Sequence, residues 1–195
     1  SNSVAMGART PVRTCKDAIT RLGRETTREL VTSFVLKGLF RARSAKIKRR
    51  MQTLWKHSTQ VAALCHVLAR HCPDFEPARA MLVGLVHDIG IIPLLTHAHH
   101  YPELLENEQQ FERTIQRLRG EVGAMTLEKW GFGEEIVSAV RHAEDWTRDD
   151  SEDADYTDIL IIAQLHAYLG TSEMADLPRI DEVPAFDKLA LGTLS

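Results

Sequence analysis

The strongest constraint on folding is a long segment, starting near Ser44, in which apolar residues recur every three or four positions. This spacing puts the apolar side chains on one face of a helix, so it predicts a half-buried helix from Ser44 to about Arg70. Serine is also a favourable residue to cap the start of a helix. The apolar positions that form the pattern are Ile47, Met51, Leu54, Trp55, Val61, Leu64, Cys65 and Leu68.

The remaining sequence also predicts helices. No segment shows the sustained alternation of a half-buried strand, so the predicted fold class is all-α. The stretch from Glu144 to Asp155 contains seven acidic residues and little apolar content, which predicts a solvated loop. After Gly170 the sequence predicts irregular structure, because two prolines prevent long helices. The other predicted helices span residues 12–22, 26–40, 77–87, 92–97, 108–118, 120–130, 134–142 and 155–169.

Length and composition indicate an ordinary globular chain. Its 195 residues, 44% hydrophobic and 26% charged, suit a single domain over residues 1–195. The net charge of −3 argues against a general binder of polyanions. Three cysteines without paired spacing indicate a reducing compartment, and no apolar run approaches the ~18 residues of a membrane span. We therefore expect a cytoplasmic protein that does not associate with membranes.

One basic cluster occupies residues 41–50. It predicts either a surface for nucleic acid or an acidic partner, or a solvated helix start. The second alternative is favoured, because no aromatic residues interleave with the basic ones as a base-stacking surface requires. The cluster consists of Arg41, Arg43, Lys46, Lys48, Arg49 and Arg50.

Histidines and one aspartate form the pattern that indicates chemistry. His57 falls in register with the apolar face of its predicted helix, and His87 and Asp88 end another. Adjacent His and Asp at a helix end can converge on one ion, and His142 ends a further helix. Such nitrogen and carboxylate ligands suit zinc, iron, manganese or nickel. Six other histidines are interpreted as ordinary core or surface residues: His66, His71, His97, His99, His100 and His166.

His57 followed by the HDIG sequence at 87–90 resembles the HD superfamily of metal-dependent phosphohydrolases. Within it the chain is most similar to HDOD domains, a branch associated with bacterial signalling. The resemblance implies an HD-superfamily helical bundle that starts inside the usual domain, so that several N-terminal helices are lacking. Further matching segments lie at residues 2–3, 17–23, 55–58, 84–86, 121–124, 130–132, 136–137 and 182–186.

The chain also departs from the enzymes of the superfamily. The resemblance implies a fourth metal ligand, an aspartate in a late helix, where this chain has Gln164. A neutral amide oxygen binds a transition metal far more weakly than a carboxylate. The related HD-GYP phosphodiesterases have a lysine where this chain has Ile91 and a histidine near the position of Arg119, and their Gly-Tyr-Pro motif is missing at 144–147.

Two interpretations of Arg119 remain open. Its guanidinium could pair with Asp88 in place of a metal, since a buried carboxylate without a partner is costly. Alternatively, Arg119 is an ordinary exposed residue of its helix.

The resemblance and its departures together favour a non-enzymatic signal-transduction or regulatory module of the HDOD type. Its degenerate metal site would comprise His57, His87 and Asp88, with His142 as a further candidate, and no catalytic residue is assigned. No cofactor is expected; a competent site would hold iron, manganese or zinc. The implied partner is a signalling protein or a flanking receiver or output domain. The alternatives are a metal-dependent phosphohydrolase acting on nucleotides or cyclic dinucleotides and, last, a nucleic-acid-associated regulator.

Overall fold

The computed structural model describes residues 45–98 and 107–189. Within these ranges the chain is helical and contains no strand, which confirms the predicted all-α class. The chain divides into two compact units, Ser1–Gly38 and Leu39–Ser195, and every described residue belongs to the second. The helices predicted at 12–22 and 26–40, and the histidines at 99 and 100, lie outside the described residues. The single-domain expectation stays a prediction.

Seven α-helices and two short 3-10 helices form the described part of the chain. The helices predicted at 44–70, 77–87, 92–97, 134–142 and 155–169 are present with ends shifted by one or two residues. The 3-10 helices are Ser172–Asp176 and Ile180–Glu182. The α-helices are α1 Ala45–Ala69, α2 Pro77–Val86, α3 Ile91–Ala98, α4 Glu108–Lys129, α5 Glu134–Arg141, α6 Tyr156–Ala167 and α7 Pro184–Lys188.

One expectation about helix extent is wrong. The segments predicted as separate helices at 108–118 and 120–130 form one continuous helix, α4. A glycine inside a helix costs about 1 kcal/mol relative to alanine, but here Gly120 and Gly123 lie against neighbouring chain segments that leave no room for a side chain. In the described residues after Gly170 the helices are all short, as the two prolines predict, and Pro184 occupies a first helical position, where proline is favourable.

Helix α6 lies at the centre of the described fold. Of residues 157–167 only His166 is exposed, and α6 contacts α1, α2 and α5. Helices α1 and α2 make the most extensive helix pair, and a Cβ added to Gly84 would lie 2.7 Å from the Cα of Ala62. A second apolar cluster joins α1, α3 and α4 through Met51, Leu54, Ile91, Leu95, Phe111 and Ile115.

The expectation that no apolar run approaches the length of a membrane span is wrong for the segment Pro77–His97. Its 21 residues are long and apolar enough to cross a membrane by length and composition alone, with a mean hydropathy of 1.6. However, 67% of this window is buried inside the protein, and the segment comprises two helices, α2 and α3. Its apolar character is accounted for by packing in the helical core.

The acidic segment from Glu144 to Asp155 forms the predicted loop, but one residue anchors it. The side chain of Arg148 is largely buried and donates to both carboxylate oxygens of Asp155, at 2.9 and 2.8 Å. Asp155 also caps α6 by accepting from the backbone N–H of Thr157. The loop is therefore fixed at its C-terminal end to the central helix.

Candidate metal site and its arginine

His57 lies midway along α1, on the flank of its buried face. Its ring centroid is 5.3 Å from that of His87 and 5.1 Å from that of Tyr168. The Nε2 atom of His57 is buried and has no hydrogen-bond partner within the described residues. Burial, reinforced by the nearby His87, lowers the pKa of His57 to about 4, so its imidazole is neutral at ordinary pH. A neutral imidazole nitrogen is the form that binds a metal ion.

His87 and Asp88 follow the end of α2, where the chain turns towards α3. The Nδ1–H of His87 donates to the carbonyl of Gly84 at 2.7 Å, because a carbonyl oxygen can only accept. This bond leaves the lone pair of a neutral His87 on Nε2, which lies 3.2 Å from Oδ2 of Asp88. Two lone pairs at this distance repel each other, so the contact is favourable only with a proton or a cation between the two atoms.

Arg119, in the middle of α4, lies next to this pair. Its Nη1 donates to Oδ1 of Asp88 at 3.0 Å, while Nη2 contacts the carboxylate of Glu144. Only 12% of the Arg119 side chain and 4% of the Asp88 side chain are exposed. Burial by itself raises the pKa of Asp88, but the positive charges of His87 in its protonated form and of Arg119 outweigh it and hold that pKa well below its usual range. Arg119 therefore pairs with Asp88 and is not an exposed residue of its helix.

Glycine at position 90 makes this arrangement possible. A Cβ at Gly90 would lie 2.0 Å from the carbonyl oxygen of Arg119 and 2.5 Å from the backbone nitrogen of Gly123. The turn that carries Asp88 therefore touches the backbone of α4 directly. This close approach sets the distance between Asp88 and Arg119, and any side chain at position 90 would have to push α4 away.

Gln164 does not point a free amide at the histidines. It is fully buried in α6, and its Nε2 donates to the carbonyl of Ala143 in the turn that follows α5. Its Oε1 has no hydrogen-bond partner within the described residues. The residue that stands where the resemblance implies a fourth ligand thus connects the central helix to the segment containing His142 and Glu144.

His142 is not brought together with the other candidates. Its side chain is 40% exposed and its Nδ1 lies 3.9 Å from Asp145. It lines a cavity of about 380 Å³ between α4 and α5, together with Arg117, Arg119 and Glu144, and this cavity reaches His87. His142 is therefore a neighbour of the site and not a member of the ligand group.

The remaining three residues fit a single metal ion. His57, His87 and Asp88 each offer one ligand atom, and these atoms lie within 4.8 Å of one another. Two imidazole nitrogens and a carboxylate are a donor set for iron, manganese or zinc, and the two Nε2 atoms without hydrogen-bond partners are suitably placed ligands. The bond from His87 to Gly84 is the kind of second contact that orients a ligating histidine. That His57, His87 and Asp88 are the remaining ligands of a degenerate metal site stays a prediction.

The sequence interpretation missed two residues that contact the candidate site, Tyr168 and Glu144. Tyr168 stacks against His57 and lies four residues after Gln164, so helical spacing could have indicated that the two share a face. Glu144 contacts Arg119 but lies in a run of acidic residues, and no local pattern distinguishes it from its neighbours.

Comparison with known proteins agrees with this architecture. The HDOD domain family matches residues 1–146, about three quarters of the chain. A candidate metal-dependent phosphohydrolase from Shewanella amazonensis SB2B is 23% identical, with a TM-score of 0.75 over 96% of this chain and 74% of its own. An HDOD domain protein of unknown function from Geobacter sulfurreducens is 21% identical, with a TM-score of 0.70 over 98% of this chain and 70% of its own. At these identities the two structures establish a shared fold. No curated protein is similar to this chain at a significant level.

Proposed function

This chain belongs to the HDOD domain family, and from that premise we propose that it is a regulatory module without phosphohydrolase activity. In this proposal a guanidinium takes the place of the metal ion. The observation that carries it is the pairing of Arg119 with the buried carboxylate of Asp88, at 3.0 Å. The arginine satisfies a carboxylate that would otherwise be costly to bury.

The charge of Arg119 opposes metal binding at this position. An arginine is always protonated, so it presents a fixed positive charge next to the ligand group. It neutralises one oxygen of Asp88 and repels a divalent cation that approaches the other oxygen. Because the Arg119 side chain is largely buried, solvent screens this repulsion only weakly.

The neighbourhood of Gln164 further supports a loss of catalysis. A divalent ion held by His57, His87 and Asp88 would activate a water molecule and neutralise phosphate charge. Catalysis of phosphoryl transfer depends almost entirely on such positioning and charge stabilisation. The amide of Gln164 contributes no charge, and its nitrogen is occupied by the carbonyl of Ala143.

A metal-dependent phosphohydrolase acting on nucleotides or cyclic dinucleotides is the second candidate. It is favoured by the Nε2 atoms of His57 and His87, which are buried without hydrogen-bond partners in the described part of the chain. A metal ion would satisfy both. The name of the Shewanella protein points to the same chemistry in a protein of this fold.

Metal content and turnover separate the two candidates. Protein purified without added metal should contain far less than one equivalent of iron, manganese and zinc by elemental analysis. With added Mn²⁺ it should hydrolyse neither bis-p-nitrophenyl phosphate nor cyclic dinucleotides above the protein-free rate. About one equivalent of metal, with turnover that is lost in Asp88→Ala and kept in the exposed control Asp145→Ala, would establish the enzyme instead.

The regulatory role would be exercised through a signalling protein partner or a flanking receiver or output domain, in the cytoplasm. HDOD domains are associated with bacterial signalling, and the proposal extends that association to this chain. Co-purification of the tagged chain with proteins from its own host provides the test. A specific partner whose binding survives Asp88→Ala would place the interaction surface away from the site, and loss of binding would place it there.

A further inference from the structure

We propose that Glu144 sets the affinity of the His57, His87 and Asp88 group for a divalent transition-metal cation, by providing an alternative counterion for Arg119. The inference rests on the proposed function, in which the guanidinium occupies the place of the metal. It adds a second state, in which a cation has replaced Arg119 at Asp88 and Glu144 remains as the carboxylate partner of Arg119.

The two carboxylates contact different ends of one guanidinium. Nη1 of Arg119 donates to Oδ1 of Asp88, and Nη2 contacts Oε1 of Glu144. Release of the first contact therefore does not require release of the second. Arg119 is only 12% exposed, so without Glu144 its departure from Asp88 would leave a buried charge without a counterion, which is costly.

Asp88 keeps one oxygen available for an incoming cation. Its Oδ2 faces Nε2 of His87 at 3.2 Å, on the side of the carboxylate away from the Arg119 contact through Oδ1. A cation can thus begin to bind between His87 and Asp88 while Arg119 is still in place. The unpartnered Nε2 of His57 completes the group.

Glu144 is held in position by the rest of the fold. The preceding residue, Ala143, accepts a hydrogen bond from the buried amide of Gln164. On α4, the absence of a side chain at Gly120 lets the helix approach the carbonyl of Arg141, since an added Cβ would lie 2.6 Å from that oxygen. The segment that follows α5 is consequently fixed to both α4 and α6, and Glu144 is a positioning residue for Arg119.

Replacement of Arg119 by a cation at Asp88 would also change the accessible cavity beside the site. Arg119 and Glu144 both line the cavity between α4 and α5, which reaches His87. When Arg119 changes partners, the charge distribution and shape of this cavity change with it. The site would thereby convert the local concentration of a divalent cation into a change at an accessible cleft.

A double-mutant cycle on Mn²⁺ affinity tests the proposal, with the full chain titrated by calorimetry. Arg119→Ala should tighten the Kd for Mn²⁺ by about tenfold or more, because the competing charge is gone. Arg119→Gln, which keeps a donor for Asp88 without the charge, should tighten it in the same direction and covers the case in which the alanine variant folds poorly. Glu144→Gln should weaken Mn²⁺ binding by about tenfold in the parent background, because Arg119 loses its alternative partner.

The decisive comparison is Glu144→Gln in the Arg119→Ala background. If Glu144 acts through Arg119, this second substitution should change the Kd by less than about twofold, because the residue through which it acts is already gone, whereas independent residues would show the same effect in both backgrounds. An equal weakening in both backgrounds would mean that Glu144 acts only as a nearby negative charge and would overturn the inference. So would an unchanged or unmeasurable Mn²⁺ affinity in both Arg119 variants.

Arg117→Ala is the matched control. Arg117 is exposed, lies two residues away on the same helix and lines the same cavity. Its removal should leave the Kd for Mn²⁺ within about twofold, whereas a tenfold change would show that any cation on α4 has the effect. Turnover that depends on Asp88 would refute the proposed function. The Mn²⁺ affinities of the double-mutant cycle test the role of Glu144 whether or not such turnover is found.

Discussion

The side-chain amide of Gln164 donates a hydrogen bond to the backbone carbonyl of Ala143, 21 residues earlier in the chain. Both residues are buried, and the bond joins the central helix α6 to the turn after α5. The position at which the resemblance implies a metal-binding carboxylate therefore makes a structural contact in this chain. Its amide nitrogen is required for that contact.

Gln164→Glu should destabilise the protein at neutral pH. An ionised glutamate cannot donate to Ala143, so the substitution buries a charge next to an unpaired carbonyl, at a cost of about 3 kcal/mol or more in the free energy of unfolding. Urea denaturation at pH 7 measures this, and the loss should shrink at pH 5, where a protonated carboxyl can donate again. An exposed glutamine of α4 gives the control: Gln116→Glu should change stability by no more than about 0.5 kcal/mol. Parent-like stability of Gln164→Glu at pH 7 would contradict this account.

Asp88→Asn should lower stability in protein kept free of metal by a chelator. The substitution leaves the buried guanidinium of Arg119 without its carboxylate, and breaking such a pair typically costs about 3–5 kcal/mol. The free energy of unfolding measures the effect, while Asp145→Asn, at a half-exposed carboxylate, should stay within about 0.5 kcal/mol of the parent. Addition of chelator should not change the free energy of unfolding of the parent protein. A variant as stable as the parent would exclude a structural role for the ion pair.

Gly90→Ala should be among the most damaging small substitutions in the chain. The added Cβ would meet the backbone of α4 at Arg119 and Gly123, and backbone cannot move aside as a flexible side chain can. We expect a loss of about 3 kcal/mol or more in the free energy of unfolding. Gly133→Ala, where no other residue of the described ranges lies within 4 Å of the added atom, should cost about 1 kcal/mol or less, as expected for a helix cap. Equal costs at the two positions would show that α4 and the HDIG turn are not in the described contact.

The ion pair of Arg148 and Asp155 should make stability depend on pH at the acid end. Burial alone raises the pKa of Asp155, but the hydrogen bond from Arg148 outweighs it and places that pKa below the ordinary value of 3.8. Because the folded pKa is lower than the unfolded one, the stabilisation is present above about pH 4 and is lost as the pH falls through the folded pKa.

Asp155→Asn tests this dependence, because it removes the charge but keeps an oxygen that can cap α6. The variant should be less stable than the parent by about 1 kcal/mol at pH 7, allowing for solvent screening of a half-exposed carboxylate. In thermal denaturation the difference should shrink as the pH is lowered below about 4 and vanish once Asp155 is protonated in the folded protein. Asp153→Asn, in the exposed part of the same loop, should show no such dependence, and a constant difference for Asp155→Asn would contradict the assigned cause.

Much of the fold could be predicted from local sequence. The three-and-four spacing in α1 gave its extent to within a residue at each end, and Pro77 marked the start of α2. Both follow from interactions between residues that are close in the chain, which periodicity and capping preferences describe. The continuity of α4 could not be predicted, because the glycine at 120 is accommodated by contact with the distant carbonyl of Arg141.

The candidate site likewise has features that could be predicted from local sequence and features that could not. The sequence by itself determined the all-α class, the resemblance to HDOD domains and the grouping of His57 with His87 and Asp88, since these follow from spacing and motif. Only the tertiary structure decided that Arg119 pairs with Asp88 and with Glu144. The physical reason is that this ion pair joins residues 31 positions apart, and its geometry depends on how closely the turn at residue 90 approaches α4. Packing between distant segments, which no local pattern encodes, sets that approach.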